Sequence, residues 1–262
     1  MKKFGLIGKP LTHSFSQKYF EEKFQRACLP DRQEKISDCS YDLFELKSIE
    51  EFPSLINSNP DLVGLNVTIP YKESVINYLD EIDEVAKNIG AVNCINIENG
   101  KLKGYNTDVF GFETSLQIFV GQATNKGEVV FKSPLGDLGV FILGTGGSSK
   151  AIQFVLKKLN LPFVLISREK SGGCISYAEL PALIKEKNIF INTTPVGMFP
   201  NIDEAPEIPY QKLSDKDFLF DLVYNPAETE FLKRGKLSGA KTKNGLEMLQ
   251  LQAEKSWEIW NG

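Results

Sequence analysis

One stretch, residues 140–166, constrains what this chain can fold into more than any other. Residues 140–143 form a short apolar run that predicts a buried strand, and the glycine-rich segment 144–151 follows it at once. A helical pattern comes next, and residues 163–166 form a second apolar strand. Glycines in a strand-to-helix turn let a pyrophosphate approach the backbone, and the helix N-terminus then holds it. The stretch predicts a doubly wound α/β domain that binds a dinucleotide, with a ligand-free glycine-rich loop as the alternative.

The second strand of this unit ends at Ser167, Arg168 and Glu169, where the ribose of a dinucleotide is read. A carboxylate at this place accepts a hydrogen bond from the 2′-OH of NAD, whereas an arginine accommodates the 2′-phosphate of NADP. Arg168 directly follows the strand and favours NADP, and Glu169 opposes it unless its side chain turns to water. We therefore expect a moderate preference for NADP with some use of NAD.

A cluster of polar residues follows another predicted strand, residues 62–67. Pro70 cannot donate a hydrogen bond within a sheet, so this strand ends close to it. Asn66, Thr68 and Lys72 lie at that end, and open α/β sheets bind ligands at the carboxyl ends of their strands. A lysine held there can hydrogen-bond a substrate oxygen and exchange a proton with it. The alternative is an ordinary surface lysine, because most lysines are exposed.

Asp108 stands at the same kind of strand end, after a predicted hairpin. Residues 94–97 and 102–105 predict two strands on either side of Asn99-Gly100, a dipeptide typical of tight hairpins. The return strand runs into Asp108, which therefore lies at a strand-to-helix junction. Its alternative role is to cap the helix that follows.

Ser14 and Ser16 stand in a polar loop that leads into a predicted amphipathic helix. Two hydroxyls near the start of a helix can hold a carboxylate, because the helix N-terminus favours negative charge. The alternative is that one of them only caps the helix. Asn93 precedes the hairpin, and its commonest use at such a place is to form a turn.

Composition narrows the range of partners. The chain has 262 residues and a formal net charge of −4 with acids and bases interspersed, which makes nucleic acid an unexpected partner. No apolar run reaches membrane-spanning length, and the N-terminus lacks the apolar core of a signal peptide. His13 is the only histidine and the four cysteines are scattered, so no metal site is expected and the thiols are expected to be reduced. Together these features predict a cytoplasmic protein that binds a small molecule.

Three local patterns complete the secondary-structure prediction. The residues between Lys72 and Asn88 predict one helix of interleaved acidic and apolar residues. Ser48 followed by Glu51 predicts a capping box at the start of another helix. Residues 121–138 are polar and poorly periodic and predict a variable loop.

Taken in order along the chain, these motifs resemble those of the shikimate dehydrogenase family. The resemblance covers nearly the whole chain and is carried by Gly8-Lys9-Pro10-Leu11, His13-Ser14-Phe15-Ser16, Asn66-Val67-Thr68-Ile69-Pro70-Tyr71-Lys72, Ala91-Val92-Asn93, Gly104-Tyr105-Asn106-Thr107-Asp108, the Gly144 loop, Asn192-Thr193-Thr194-Pro195-Val196-Gly197-Met198, Asp221-Leu222-Val223-Tyr224-Asn225-Pro226 and Gly245-Leu246-Glu247-Met248-Leu249. Each motif is modest alone, and their common order makes the resemblance specific.

The resemblance implies a two-domain α/β fold. A discontinuous N-terminal α/β substrate domain would comprise residues 1–106 and 240–262, and a Rossmann-type doubly wound nucleotide domain would comprise residues 107–239. The implied reaction is the reversible NADPH-dependent reduction of 3-dehydroshikimate to shikimate, on the way to chorismate and the aromatic amino acids. The implied oligomeric state is a monomer or a homodimer.

The resemblance also implies a role for each matching residue. Lys72 and Asp108 would form the catalytic pair beside the reacting oxygen. The residues implied to bind substrate are Ser14, Ser16, Asn66, Thr68, Asn93, Tyr224 and Gln252, with the two serines on the carboxylate. The residues implied to bind the cofactor are Gly144, Gly146, Gly147, Ser148, Ser149, Ser167, Arg168, Thr194 and Gly245.

Two alternatives stay open. The family's NADP enzymes usually carry Asn-Arg-Thr where this chain has Ser167, Arg168 and Glu169, so a quinate/shikimate dehydrogenase that uses NAD is one alternative. A catalytically idle nucleotide-binding sensor is the other. The presence of both Lys72 and Asp108 argues against the sensor, because a sensor need not keep a proton-transfer pair.

Overall fold

The computed structural model describes residues 2–11, 15–27, 39–124, 138–170 and 172–262. The strands are β1 (Lys2–Gly8), β2 (Cys39–Glu45), β3 (Leu62–Val67), β4 (Glu81–Ile82), β5 (Cys94–Glu98), β6 (Lys101–Tyr105), β7 (Leu138–Leu143), β8 (Val164–Ser167), β9 (Ile175–Ser176), β10 (Lys187–Asn192), β11 (Phe218–Asp221) and β12 (Lys241–Lys243). The α-helices are α1 (Phe15–Ala27), α2 (Phe52–Ser58), α3 (Glu84–Ile89), α4 (Asp108–Thr124), α5 (Gly147–Lys158), α6 (Glu230–Leu237) and α7 (Leu246–Asn261). Ser14 and most of the predicted loop 121–138 lie outside the described residues, and α4 occupies the first residues of that loop.

The chain forms two compact units. The first comprises Met1–Thr107 with Gln252–Gly262, and the second comprises Asp108–Leu251. This division differs from the boundaries expected from sequence chiefly in residues 240–251, which belong to the second unit. They do so because β12 pairs in parallel with β11 and continues its sheet.

The first unit is built on a six-stranded mixed sheet of order β2-β1-β3-β5-β6-β4. β1 lies parallel to both β2 and β3, whereas β5 runs antiparallel to β3 and β6. The predicted hairpin at Asn99-Gly100 is confirmed, because β5 and β6 pair on either side of it. β3 has the predicted bounds, so the polar residues that follow it stand at its carboxyl end.

Aromatic packing closes one face of this sheet against the end of α7. The rings of Phe4 and Trp260 lie 4.9 Å apart, and those of Phe20 and Trp260 lie 5.4 Å apart. Nε1 of Trp260 donates to the carbonyl of Ile95 at 2.9 Å, so the buried indole leaves no polar atom unpaired. Burial of large rings contributes most to such a core, and it fixes α7 beside the carboxyl end of β3.

The second unit is built on a six-stranded sheet of order β12-β11-β10-β7-β8-β9, and every pair in it is parallel. β7 lies between β8 and β10, so the chain leaves β7 toward one edge and returns on its other side. The buried side of α5 carries Ala151, Ile152, Val155 and Leu156, spaced as a helix that packs on a sheet requires. The two parallel-rich sheets confirm the predicted α/β class with a doubly wound nucleotide-type domain.

Two local predictions were wrong. The segment after Lys72 is not one helix: it contains a 3-10 turn at Ser74–Tyr78, the short strand β4 and then α3. The carboxylates of Asp80 and Asp83 accept from the main-chain N–H groups of Leu102 and Val85, at 2.8 and 3.0 Å. The Asp83 bond is local and starts a new helix at α3, whereas the Asp80 bond ties the chain to β6, so a continuous helix cannot form.

The predicted capping box at Ser48 and Glu51 is also absent. Ser48 makes no side-chain cap hydrogen bond, and the 3-10 turn Ile49–Glu51 stands between it and α2. The Glu51 carboxylate reaches back one residue further than a capping box requires, to the N–H of Lys47 at 3.0 Å.

The described cysteines, Cys39, Cys94 and Cys174, form no disulfide bond with one another. Burial raises the pKa of Cys94 to about 12, so this thiol stays protonated. In the part of the chain that the structure describes, no three His, Cys, Asp or Glu side chains are grouped to hold a metal ion. Within the same residues, no helix combines the length and the apolar character that crossing a bilayer requires.

Candidate active site

A buried polar network lies in the first unit around Asn93. Its Oδ1 accepts from the main-chain N–H of Thr107 at 2.7 Å, and its Nδ2 donates to Oε1 of Gln252 at 3.0 Å. The Thr107 hydroxyl approaches the same Oε1 at 3.3 Å and Oγ of Ser256 at 3.2 Å. Buried amides and hydroxyls are costly unless they are paired, so this mutual pairing holds the four side chains in one arrangement.

Asn66 joins the network from the carboxyl end of β3. Its Nδ2 donates to Ser256 at 3.0 Å and to the carbonyl of Asn93 at 3.3 Å, and its Oδ1 accepts from the Tyr41 hydroxyl at 2.8 Å. Tyr41 is buried on β2, and burial raises its pKa well above the usual value while a hydrogen bond with Ser16 opposes that rise. The hydroxyl of Ser16, at the start of α1, is therefore linked through Tyr41 to Asn66.

Thr68 and Lys72 follow β3 as the sequence predicts. The N–H of Thr68 donates to the carbonyl of Ile7 at 2.9 Å, which continues the pairing of β3 with β1 for one more residue. The carbonyl of Lys72 accepts from the N–H of Val92 at 2.7 Å, so the main chain at Lys72 is tied to the segment that carries Asn93. Both side chains are half-buried, a position from which an ammonium group can reach both protein and ligand.

Asp108 is the first residue of α4 and is buried. It directly follows Thr107, whose N–H and hydroxyl are both held by Asn93. The main chain therefore enters Asp108 from a fixed position, which is what an exact placement of its carboxylate requires.

At the carboxyl end of the parallel sheet, Gly144 follows β7 and the pair Thr193 and Thr194 follows β10. Gly144 has a φ of 105°, and a Cβ at this residue would lie 2.7 Å from Cγ2 of Thr194 and 2.9 Å from Oγ1 of Thr193. Only glycine fits that space and that backbone conformation. β7 and β10 are the neighbouring strands at which the strand order of the sheet reverses, and doubly wound sheets bind their ligands at that point.

The N-terminus of α5 suits an anionic group. Its N-cap is Gly146, which has no side chain to cap the helix, and the first turn holds no acidic residue. A Cβ built at Gly146 meets no atom within 4 Å, so the space before the helix is open. Gly147 and Ser148 open the helix and are half-buried, whereas the buried Ser149 hydroxyl accepts from Gln153 at 3.1 Å. The main-chain N–H groups of this first turn and the helix dipole fit a pyrophosphate.

A second buried network stands at the ends of β10 and β11. The Asp221 carboxylate accepts from the Thr229 hydroxyl at 2.5 Å, from Nδ2 of Asn192 at 2.9 Å and from the N–H of Val223 at 3.0 Å. Oδ1 of Asn192 in turn accepts from the N–H and the hydroxyl of Thr194, at 3.0 and 2.6 Å. Burial raises the pKa of Asp221 to about 6, and the three accepted hydrogen bonds oppose that rise.

Tyr224 and Gly245 belong to the same end of this sheet. The N–H of Gly245 donates to the carbonyl of Val223 at 3.2 Å, which joins the start of α7 to the segment after β11. A Cβ at Gly245 would lie 2.2 Å from the carbonyl oxygen of Leu222, so no other residue fits there. Tyr224 is half-buried one residue after Val223.

Ser167 ends β8 beside Ser176 of β9, and Arg168 and Glu169 are exposed in the turn that follows. The neighbouring cation, Lys170, bonds to Glu179 at 2.8 Å. That bond, with two hydrogen bonds from Ser176, lowers the pKa of Glu179 to about 2. Lys170 is thus already paired. Arg168 lies exposed near Tyr177, whose pKa burial raises to about 12 while the positive charge of Arg168 opposes that rise.

Known proteins are similar to this chain over nearly its whole length. Residues 6–95 match the family model described as the shikimate dehydrogenase substrate binding domain. The chain is 38% identical over 278 residues to the NADP(+) shikimate dehydrogenase of Methanococcus vannielii, covering 98% of this chain and 90% of that relative. The chain belongs to the shikimate dehydrogenase family.

Two solved shikimate 5-dehydrogenases show the family fold with ligands. The enzyme of Thermus thermophilus in complex with NADP(H) and shikimate superposes with a TM-score of 0.80 at 26% identity, covering all of this chain and 94% of that one. The enzyme of Listeria monocytogenes in complex with shikimate and NAD superposes with a TM-score of 0.79 at 26% identity, covering all of this chain and 92% of that one. Members of this fold have thus been solved with either nicotinamide dinucleotide.

Within each unit of this shikimate dehydrogenase family member, some of the predicted site residues lie together. Ser16, Asn66, Asn93 and Gln252 form one network in the first unit, and Gly144, Thr194 and Gly245 share one sheet edge in the second. Four further residues belong to these networks and were not predicted from the sequence: Tyr41, Thr107, Ser256 and Asp221. Ser256 lies four residues after Gln252, a helical spacing that puts both on one face of α7, and that spacing was the available signal.

Proposed function

We propose that this chain is an NADP-dependent shikimate dehydrogenase, which catalyses the reversible reduction of 3-dehydroshikimate to shikimate. The observation that carries the proposal is the buried network of Asn66, Asn93, Thr107 and Gln252 at the carboxyl end of β3. Asn66 and Asn93 lie inside residues 6–95, the region similar to the substrate binding domain of the family. Amide and hydroxyl groups held rigidly together are what recognition of a polyhydroxylated ring requires. The similarity to NADP(+) shikimate dehydrogenases over nearly the whole chain supports the same substrate.

The substrate roles follow the family motif. Ser14 and Ser16 would hold the carboxylate near the start of α1, where the helix dipole favours a negative charge. Asn66, Thr68, Asn93 and Gln252 would contact the ring hydroxyls, and Tyr224 would lie near the substrate and the nicotinamide. The link from Ser16 through Tyr41 to Asn66 supports this proposal, because it couples the carboxylate end of the site to the hydroxyl end.

The catalytic roles fall to Lys72 and Asp108. Bound NADPH supplies the hydride to the carbonyl carbon. Lys72 would hydrogen-bond the carbonyl oxygen and give it a proton as negative charge develops, which contributes typically about 10²–10⁴-fold to such reactions. Asp108 would orient the ammonium group and accept from the adjacent hydroxyl.

The cofactor roles fall to four segments of the second unit. Gly144, Gly146, Gly147, Ser148 and Ser149 open α5, where main-chain donors fit the pyrophosphate. Thr194 and Gly245 line the same sheet edge, toward the nicotinamide end. Ser167 and Arg168 would take the 2′-phosphate of NADP, and Glu169 would reduce the preference over NAD because a carboxylate there also accepts from a bare 2′-OH.

The remaining assignments are proposed on the same basis. Residues 1–106 and 240–262 would form the substrate domain, and residues 107–239 the nucleotide domain. The protein would act in the cytoplasm as a monomer or a homodimer, on a small molecule and without nucleic acid or membrane.

A spectrophotometric assay tests the proposal directly. The purified chain is mixed with shikimate and either NADP or NAD, and the appearance of the reduced cofactor is followed by absorbance. Oxidation of shikimate that is faster with NADP supports the proposal. Equal or greater activity with quinate and NAD favours the broader quinate/shikimate dehydrogenase, and cofactor binding without turnover of any of these substrates favours the nucleotide-binding sensor.

A further inference from the structure

The sheet of the second unit carries two buried Asn–Asp couples between the same pair of strands. Asn192 and Asp221 pair at the carboxyl ends of β10 and β11, at 2.9 Å. Asn188 and Asp217 pair four residues earlier, at the opposite end of the same strands, at 2.7 Å. All four side chains are buried. At about 3.3 Å per residue the two couples stand about 13 Å apart, so one faces the expected cofactor edge and the other faces away from it.

The Asn192–Asp221 couple is linked by hydrogen bonds to each segment that is assigned to the cofactor at this edge of the sheet. Through Asn192, it holds the N–H and the hydroxyl of Thr194 after β10. Through Val223, the Asp221 carboxylate holds the chain that leads to Tyr224, and the Val223 carbonyl accepts from Gly245. Three separate segments therefore take their position from one carboxylate.

We propose that Asp221 is a positioning residue for the cofactor, whose buried carboxylate sets the shape of the edge formed by Thr194, Tyr224 and Gly245. The inference rests on the proposed function, which assigns this edge to NADP. Asp221 itself has no exposed surface, so it acts through the groups that it holds and not by touching the ligand. A misplacement of about 1 Å in such a contact costs roughly a hundredfold in rate.

The second end of Asp221 is held by Thr229, which also caps α6. The Thr229 hydroxyl donates to the carboxylate at 2.5 Å and accepts from the N–H of Leu232 at 3.4 Å. Tyr210 faces Asp221 from a neighbouring element, and burial raises the pKa of this tyrosine well above its usual value, with the negative charge of Asp221 adding to the rise. Arg234 lies over the Tyr210 ring at 5.7 Å and bonds to Glu230 at 2.8 Å. The Asp221 carboxylate is thus in direct contact with hydrogen-bond donors, and burial raises its pKa to about 6 against the opposing effect of those donors.

The couple at the amino end supplies a matched control. Asp217 accepts from Asn188, and from the N–H and hydroxyl of Ser214 at 2.7 and 3.1 Å, so it too holds three hydrogen bonds in a buried place. Replacing it by alanine removes the same chemistry from the same strands. A purely structural role predicts equal effects of the two replacements, and a positioning role predicts unequal ones.

The experiment measures NADPH binding by fluorescence titration, and KM and kcat in the shikimate assay, for wild type, Asp221→Ala, Asp221→Asn and Asp217→Ala. We expect Asp221→Ala to weaken NADPH binding about tenfold or more, and Asp217→Ala to lower the melting temperature similarly but to leave binding within about twofold. Asp221→Asn keeps the shape and should stay within about threefold at neutral pH. Equal loss of binding in the two alanine variants, or unchanged binding in Asp221→Ala, would overturn the inference.

A pH series separates positioning from folding and serves if Asp221→Ala does not fold. From about pH 7 to about pH 5, wild type should lose more NADPH affinity than Asp221→Asn, because a protonated carboxyl accepts weaker hydrogen bonds. The 2′-phosphate of NADPH titrates equally in both proteins, so their difference reports Asp221. Parallel pH profiles would overturn the inference. Wild type that fails to bind NADPH at all would overturn the proposed cofactor as well, which distinguishes the two failures.

Discussion

Oδ1 of Asn93 accepts a hydrogen bond of 2.7 Å from the main-chain N–H of Thr107, the residue immediately before Asp108. Nδ2 of the same side chain donates to Gln252 at 3.0 Å. One buried amide therefore holds the approach to a predicted catalytic carboxylate and a predicted substrate-binding side chain. This arrangement makes Asn93 a residue whose loss affects both stability and turnover.

Asn93→Ala tests that arrangement. The change leaves the N–H of Thr107 and Oε1 of Gln252 buried without this partner, which costs about 1–3 kcal/mol of unfolding free energy. We expect kcat/KM for shikimate to fall roughly a hundredfold as well, because Asp108 and Gln252 lose their fixed positions. Asn59→Ala, which removes side-chain bonds to Lys3 and Leu55 at the amino end of β3, is the control and should leave kcat/KM near wild type. Equal kinetic effects of the two changes would refute the role of Asn93.

Ser16→Ala tests the carboxylate site. Loss of a hydroxyl that bonds a carboxylate costs about 1.5–3 kcal/mol, so the KM for shikimate should rise about tenfold or more. Steady-state kinetics measure this, with the exposed Ser54→Ala as control. An unchanged KM and kcat would mean that Ser16 only caps α1 or supports Tyr41.

Arg168→Ala tests the choice of cofactor. The arginine is exposed next to the end of β8, so it is free of a buried structural role, and its loss should weaken NADP by about 1.5–3 kcal/mol while NAD changes little. Glu169→Thr should strengthen NADP binding, because it removes a like charge. Lys170→Ala is the control, since that ammonium bonds Glu179. A variant of Arg168 that weakens both cofactors equally would show that this residue does not read the 2′-phosphate.

Asp221 makes stability depend on pH. Its folded pKa of about 6 lies above the ordinary value of 3.8, so the folded protein holds an extra proton between these values. The stability that this proton gives is complete below the ordinary value and is lost as pH rises through the folded pKa, by roughly 3 kcal/mol at neutral pH. Urea unfolding of wild type and Asp221→Asn should therefore shift in favour of the variant as pH rises from about 4 to about 7. A constant difference would contradict the raised pKa.

The sequence was most informative where one short segment determines its own structure. The bounds of β3 and the hairpin at Asn99-Gly100 were predictable because apolar runs and turn dipeptides are local signals. The βαβ unit after Val140 was predictable for the same reason. The single helix predicted after Lys72 does not form, because the carboxylates of Asp80 and Asp83 accept hydrogen bonds from main-chain N–H groups. The group that Asp80 binds lies in β6.

The networks were less predictable, because their partners are far apart in the chain. Tyr41 bonds Asn66, and Asn66 bonds Ser256, across separations of 25 and 190 residues. No hydrophobic periodicity or sequence motif predicts such a pair, because only the fold brings the two residues together. In the sequence, Asp221 stands out only as the first residue of a family motif. Its role is indicated by the hydrogen bonds that it accepts in the structure from Asn192, Val223 and Thr229.

The turnover of Lys72→Ala with shikimate and NADP tests the central claim most directly. We predict that kcat falls by about two to four orders of magnitude, because a proton donor is lost, while the KM for shikimate changes much less. Lys87→Ala, an exposed lysine of α3 in the same unit, is the matched control and should turn over like wild type. Near-normal turnover in a folded Lys72→Ala protein would contradict the account and would make Lys72 an ordinary surface lysine.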